Sequence, residues 1–141
     1  MLRSAVEHLQ QLRAAVTARS AVYETAPVGP PQPDYLNAAV LVETSMAPLA
    51  LFDAMLAIER ELGRVRLEKW GPRTIDLDLL FIQDVSVNDP RLVVPHPHLR
   101  ERAFALLPLL DVLPNAHVGT ERLVDLRIDP AGVRKTDLSL F

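Results

Sequence analysis

Two carboxylates separated by a single residue, Asp76 and Asp78 in Trp70-Gly-Pro-Arg-Thr-Ile-Asp-Leu-Asp-Leu-Leu80, are the side chains of this sequence best placed to do chemistry. In an extended chain, residues two apart share a face, so both carboxylates project together while Ile75, Leu77 and Leu79 fill the other side. Like charges that close repel, and an ordinary strand would carry the pair at a cost. A divalent cation reverses that sign. Mg²⁺ takes hard oxygen ligands, accepts one or two carboxylates and completes its shell with water and substrate phosphate. The competing account is an exposed strand face whose aspartates meet only water.

Other charged groups gather around this pair in the sequence. Arg64, Arg66, Lys69 and Arg73 form one basic cluster, and Arg91, His96, His98, Arg100 and Arg102 form a second. With a net charge of −3 the chain as a whole is not basic, which argues against a nucleic-acid surface and for a small polyanion as ligand. Solvated surface charge is the alternative for each cluster. Glu59 interrupts the apolar stripe Phe52, Met55, Leu56, and a glutamate at the stripe's edge reaching solvent accounts for it without a function. His96 and His98 alternate with Pro95 and Pro97, which favours extended chain. One His-x-His is a weak metal signal, and phosphate binding or plain loop structure fits it better.

Several chemistries are excluded. No Gly-x-x-x-x-Gly-Lys-[Ser/Thr] cradle is present, so the phosphates of any bound ATP must be neutralised by metal and arginines. No Gly-x-Ser-x-Gly occurs, and the absence of cysteine removes disulfides and thiolate metal sites. No apolar run approaches the roughly 20 residues that span a bilayer. The first residues lack an apolar leader and a small-residue cleavage site, so a cytoplasmic protein is expected.

The elements that must position these residues follow from periodicity. Leu2, Ala5, Val6, Leu9, Leu12 and Val16 predict an amphipathic first helix, with Ser4 and Glu7 as a capping box. Residues 17–25 alternate as a strand. Four prolines within residues 26–34 make a loop, and residues 35–44 read as a second strand. A second helix starts near Pro48 and ends near Gly63. Residues 74–81 form a third strand carrying the aspartates, and a third helix covers 100–112 with Pro108 inside it. The order helix, strand, strand, helix, strand predicts an α+β single domain over 1–141, an antiparallel sheet covered by helices.

These motifs resemble the 6-hydroxymethyl-7,8-dihydropterin pyrophosphokinase family. The resemblance rests on Gly71-Pro-Arg-Thr-Ile-Asp-Leu-Asp-Leu-Leu80, Tyr23-Glu-Thr-Ala-Pro-Val-Gly29 and Pro33-Asp-Tyr-Leu-Asn-Ala-Ala39. Glu59 to Arg66, Arg91-Leu-Val-Val-Pro-His96 and Arg102-Ala-Phe104 extend it, so that it runs from about Leu2 to Pro114, leaving 115–141 as a tail. It implies a ferredoxin-like sandwich and transfer of pyrophosphate from ATP to the hydroxymethyl group of the pterin, with release of AMP. It also implies two Mg²⁺ on Asp76 and Asp78, with Asp78 helping to deprotonate the attacking hydroxyl. Arg64 and Arg73 would stabilise the transferring phosphates from a mobile loop that also carries Arg66 and Trp70. Glu59, Arg66, Trp70, Leu79, Arg91, His96 and Arg102 fall at nucleotide-side positions. Thr25, Ala26, Val28, Tyr35, Asn37 and Phe104 fall at pterin-side positions, where Asn37 would read the heterocycle by paired hydrogen bonds. Partners are then two small molecules, with no nucleic acid or membrane, and a monomer is expected.

The sequence departs from the family pattern in four places. The loop carrying Trp70 is one residue shorter, Ala26 stands for a proline and Pro97 for an aromatic. The family also opens with a strand ending in a Gly-Ser-Asn-Leu-Gly-like turn, which this sequence lacks. That strand would be central, beside the aspartates. A start codon placed too late is the expected explanation, with a genuine truncation or a strand supplied by a partner as alternatives. An inactive binding remnant or a strand-swapped oligomer would follow from those alternatives.

Overall fold

The computed structural model describes residues 2–12, 14–25, 35–66, 75–126, 130 and 132–140. Ala26, Val28, Trp70, Arg73 and the side chains of Arg64 and Arg66 lie outside that description. The described residues form three helices and nine short strands, every pairing antiparallel. The α+β class expected from the sequence is therefore correct.

Helix α1 spans Leu2–Gln10 and buries Ala5, Val6 and Leu9. It stops six residues before Val16, which instead faces inward from strand β1, Ala14–Arg19. The apolar spacing continues across that boundary, so periodicity alone overruns it. Ser4 consequently lies inside the helix and caps nothing; its carbonyl accepts a hydrogen bond from His8 at 2.7 Å. The long strand expected over 17–25 is two strands, because the chain breaks at Ser20–Val22 before β2, Tyr23–Thr25. The strand expected over 35–44 likewise breaks at Ala38–Ala39, giving β3, Tyr35–Asn37, and β4, Val40–Thr44. Matching breaks let the chain change sheets. β1 pairs with β4, while β2 pairs with β3. Buried Ser20 staples the breaks together: its N–H donates to the Ala39 carbonyl at 2.8 Å, and its Oγ accepts the Ala39 N–H at 2.7 Å.

Helix α2, Pro48–Arg66, begins at proline, whose missing N–H costs nothing in a first turn. Leu51, Met55, Ile58 and Leu62 form its buried stripe, at the spacing of one helix face. With Ala5, Leu9 and Ile75 they make the larger core, which Leu77 and Leu79 flank. Strands β5, Val87–Asp89, and β6, Leu92–Val94, form a hairpin that ends at a cis Val94–Pro95 bond. Helix α3 runs from Ala103 to Val112, three residues shorter at its start than expected, because Leu99–Glu101 forms a separate 3₁₀ turn. Pro108 sits inside α3, fully buried. Leu99, Leu106, Leu109, Ala116 and Leu123 make a second core, with Leu80 and Phe81 against it.

The tail is more ordered than its composition suggests. Strands β7, His117–Val118, and β8, Glu121–Arg122, pair with each other. Strand β9, Val133–Lys135, then joins the free edge of β2. There Glu24 and Arg134 face each other in register and form an ion pair. Leu140 is buried with Val6 and Val22.

Candidate active site

The aspartate segment is extended but is not the strand expected from the sequence. Among the described residues no strand pairs with 75–81; the chain makes only an isolated bridge between Ile82 and Val85. A ladder requires a neighbouring strand to accept and donate, and here the backbone groups find other partners. The N–H of Leu77, between the two aspartates, donates to Glu59 Oε2 on α2 at 2.6 Å. The carbonyl of Leu80 accepts the N–H of His96 at 2.8 Å. The alternation survives without a ladder. Ile75 is buried, Leu77 and Leu79 pack on the α1–α2 core, and Asp76 and Asp78 are exposed on the opposite face. Apolar packing on one side thus fixes where the carboxylates point. Glu59 is half-buried and holds this segment, rather than simply reaching solvent at the stripe's edge. Leu79, read by resemblance as a nucleotide contact, turns its side chain to the core.

His96, Asp78 and Arg102 are brought together. Burial holds the His96 imidazole below its ordinary value; Arg102 and His98 push the same way, while the Asp78 carboxylate opposes them. His98 supports its neighbour directly, its N–H donating to His96 Nδ1 at 3.2 Å. Nδ1 acts there as an acceptor, which leaves Nε2 as the protonated nitrogen of the neutral ring. Arg102 faces both ways. Besides acting on His96, its guanidinium lies 5.7 Å from the centre of the Phe104 ring. Arg91 has other company: it pairs with Asp53 on α2 and lies 5.9 Å from the Phe52 ring centre. Neither Asp53 nor Phe52 was marked by the sequence as anything beyond a helix residue.

The other group of expected site residues lies on the β2–β3 hairpin. Thr25 is directly opposite Tyr35, and Tyr23 is opposite Asn37. Opposed residues and residues two apart share a sheet face, so these four side chains project together. Asn37 Nδ2 donates to Thr25 Oγ1 at 3.1 Å, which orients the amide. Tyr35 is half exposed. This face is turned to α3, since the Tyr23 hydroxyl donates to Asp111 Oδ2 at 2.9 Å. Phe104 lies in the first turn of the same helix.

Two carboxylates with apolar backing, a neutral imidazole, an arginine and a polar hairpin suit a site for a polyphosphate beside a flat polar ring. Among the described residues no group of three or more His, Asp or Glu side chains could enclose a metal ion. The Asp76–Asp78 pair alone matches Mg²⁺, which shares its coordination with water and substrate phosphate rather than needing a protein cage. No helix of the described residues is long and apolar enough to cross a membrane.

Comparison with known proteins points to one family. The family model described as 7,8-dihydro-6-hydroxymethylpterin-pyrophosphokinase (HPPK) matches residues 1–114. The chain is 44% identical to the 2-amino-4-hydroxy-6-hydroxymethyldihydropteridine pyrophosphokinase of Methylorubrum extorquens, over 97% of this chain and 89% of that protein. The enzyme of the same name from Bacillus subtilis is 42% identical over 94% of this chain and 79% of its own length. That of Haemophilus influenzae is 40% identical, over 85% and 79% respectively.

Proposed function

Because the chain belongs to the 7,8-dihydro-6-hydroxymethylpterin-pyrophosphokinase family, we propose that it transfers pyrophosphate from ATP to 6-hydroxymethyl-7,8-dihydropterin, releasing AMP, in folate biosynthesis. The observation that carries this assignment on the structure is Arg102. Its charge reaches the His96 ring, which the Asp78 carboxylate also influences, and its guanidinium lies over the ring of Phe104, which supports a reading in which the phosphate and pterin halves adjoin at this residue.

In this reading ATP lies along the exposed face of Asp76 and Asp78, with His96 and Arg102 around its phosphates. Arg91, on the β5–β6 turn, would contribute a further cation from the side of α2. The pterin enters between Thr25, Tyr35 and Asn37 on the hairpin and Phe104 on α3. Asn37, already oriented by Thr25, reads the edge of the heterocycle, and the aromatic rings cover its faces. Asp76 and Asp78 would hold Mg²⁺. Bound there with ATP, the metal supplies charge neutralisation and alignment of the phosphates. Asp78 accepts the proton of the pterin hydroxymethyl group as its oxygen attacks the β-phosphorus. Arg64 and Arg73 receive the charge that develops on the transferring group, and Ala26, Val28, Arg66 and Trp70 complete the two substrate sites. Glu59 serves by holding the Leu77 N–H and with it the angle of both carboxylates. The protein acts as a cytoplasmic monomer, and light scattering checks the monomer.

The assignment is tested by a coupled assay for AMP. AMP formed from ATP and Mg²⁺ only when hydroxymethyldihydropterin is present is the expected result. Folded protein that forms no AMP contradicts it.

A further inference from the structure

The Asp111 carboxylate sits where helix electrostatics disfavour it. It occupies the last turn of α3, at the negative end of the helix dipole. Two donors account for its presence: the Tyr23 hydroxyl at 2.9 Å and the Ala21 N–H at 3.1 Å, both on Oδ2. Ala21 is fixed from the other side as well, its carbonyl accepting the Ser20 hydroxyl at 2.7 Å. Asp111 thus holds the hinge between β1 and β2 and the first residue of β2 at once.

The consequences reach the rest of the hairpin face through register. Tyr23 lies directly opposite Asn37, and Thr25 is two residues further along the same face. Asp111 lies seven residues after Phe104, two helical turns on, so both project from one side of α3. We propose that Asp111 is a positioning residue that fixes the spacing between the Thr25–Asn37 hairpin face and the Phe104 side of α3, and so sets affinity for the pterin ring. The proposal rests on the pterin assignment above. Burial, aided by the hydrogen bond to Asp111 and by its charge, pushes the Tyr23 phenol up to about 12, so it remains a donor throughout the working range.

The test separates spacing from mere stability. KM for hydroxymethyldihydropterin, KM for ATP, kcat and the melting temperature are measured for the wild type, Asp111→Ala, Asp111→Asn and Tyr23→Phe. Asp111→Ala and Tyr23→Phe raise the pterin KM by about tenfold, with ATP KM unchanged and kcat within about twofold. Asp111→Asn keeps an acceptor oxygen and restores most of the loss. Binding of the pterin alone, followed by calorimetry, shifts by the same factor. An unchanged pterin KM in both altered proteins overturns the proposal, as does a fall in kcat that merely tracks the folded fraction. If the wild type itself neither binds the pterin nor forms AMP, the functional assignment fails and this one with it, an outcome distinct from normal wild-type turnover with insensitive variants.

Discussion

The two halves of the site are built on opposite principles. The aspartate segment, residues 75–81, is extended with no ladder among the described residues; apolar side chains packed on two cores and the side-chain acceptor Glu59 hold it. The hairpin that carries Thr25, Tyr35 and Asn37 is the middle and one edge of a three-stranded ladder, with β9 on its other side and Asp111 tying it to α3. A site for phosphates tolerates the first arrangement, since charge attraction acts over distance and falls off gradually. A site for a flat ring needs the second, because a hydrogen bond weakens steeply once its geometry is lost.

The largest effect should come from the charged half. Asp78→Ala lowers turnover by about a thousandfold, while the melting temperature holds or rises slightly, because a like-charge neighbour has been removed. Near-normal turnover would reduce the Asp-x-Asp to the solvated face of an extended segment. Next, Glu59→Ala leaves the Leu77 N–H without its acceptor, costing about 1–2 kcal/mol in urea unfolding. Carboxylates so displaced lower kcat by up to about a hundredfold, and Glu59→Gln, which keeps an acceptor oxygen, recovers most of it. A stable but inactive Glu59→Gln would assign Glu59's charge, not its bond, to the reaction.

On the hairpin the effects are smaller and selective. Asn37→Ala raises the pterin KM by about tenfold and leaves ATP KM alone, because the ladder remains when the side chain goes. A matching rise in ATP KM would mean the two halves are not separable. The smallest effect is in alkali. With the Tyr23 phenol held up to about 12 in the native protein against 10 in the unfolded chain, the unfolded state releases a proton that the native state keeps. That contribution is fully present below pH 10 and is lost as pH rises toward 12. Urea midpoints at about pH 9 and about pH 11 should therefore fall less in Tyr23→Phe than in the wild type.

The sequence made some of this legible and hid the rest for physical reasons. The facing of Asp76 and Asp78 was readable because side-chain alternation belongs to any extended chain, with or without a ladder. Helix α2 was readable from its proline start and its apolar stripe, although it runs through Gly63, where the sequence suggests an end, to Arg66. The sheet changes at Ser20 and Ala39 were not, since the residues on either side keep the same alternation. The local signal for the β5–β6 hairpin is the two-residue turn Pro90-Arg91, set between Asn88-Asp89 at the end of β5 and the apolar run Leu92-Val93-Val94. The roles of Asp111 and β9 had no local signal. Both depend on partners about 90 and 110 residues away in sequence, which only the fold brings near.

If the two halves of the site pass one group between them, phosphorus NMR sees the transfer itself. With ATP, Mg²⁺ and hydroxymethyldihydropterin, the three ATP signals should give way to AMP and the paired signals of a pterin diphosphate, in equal amounts. Appearance of ADP with a pterin monophosphate, or of AMP with free pyrophosphate, would contradict it.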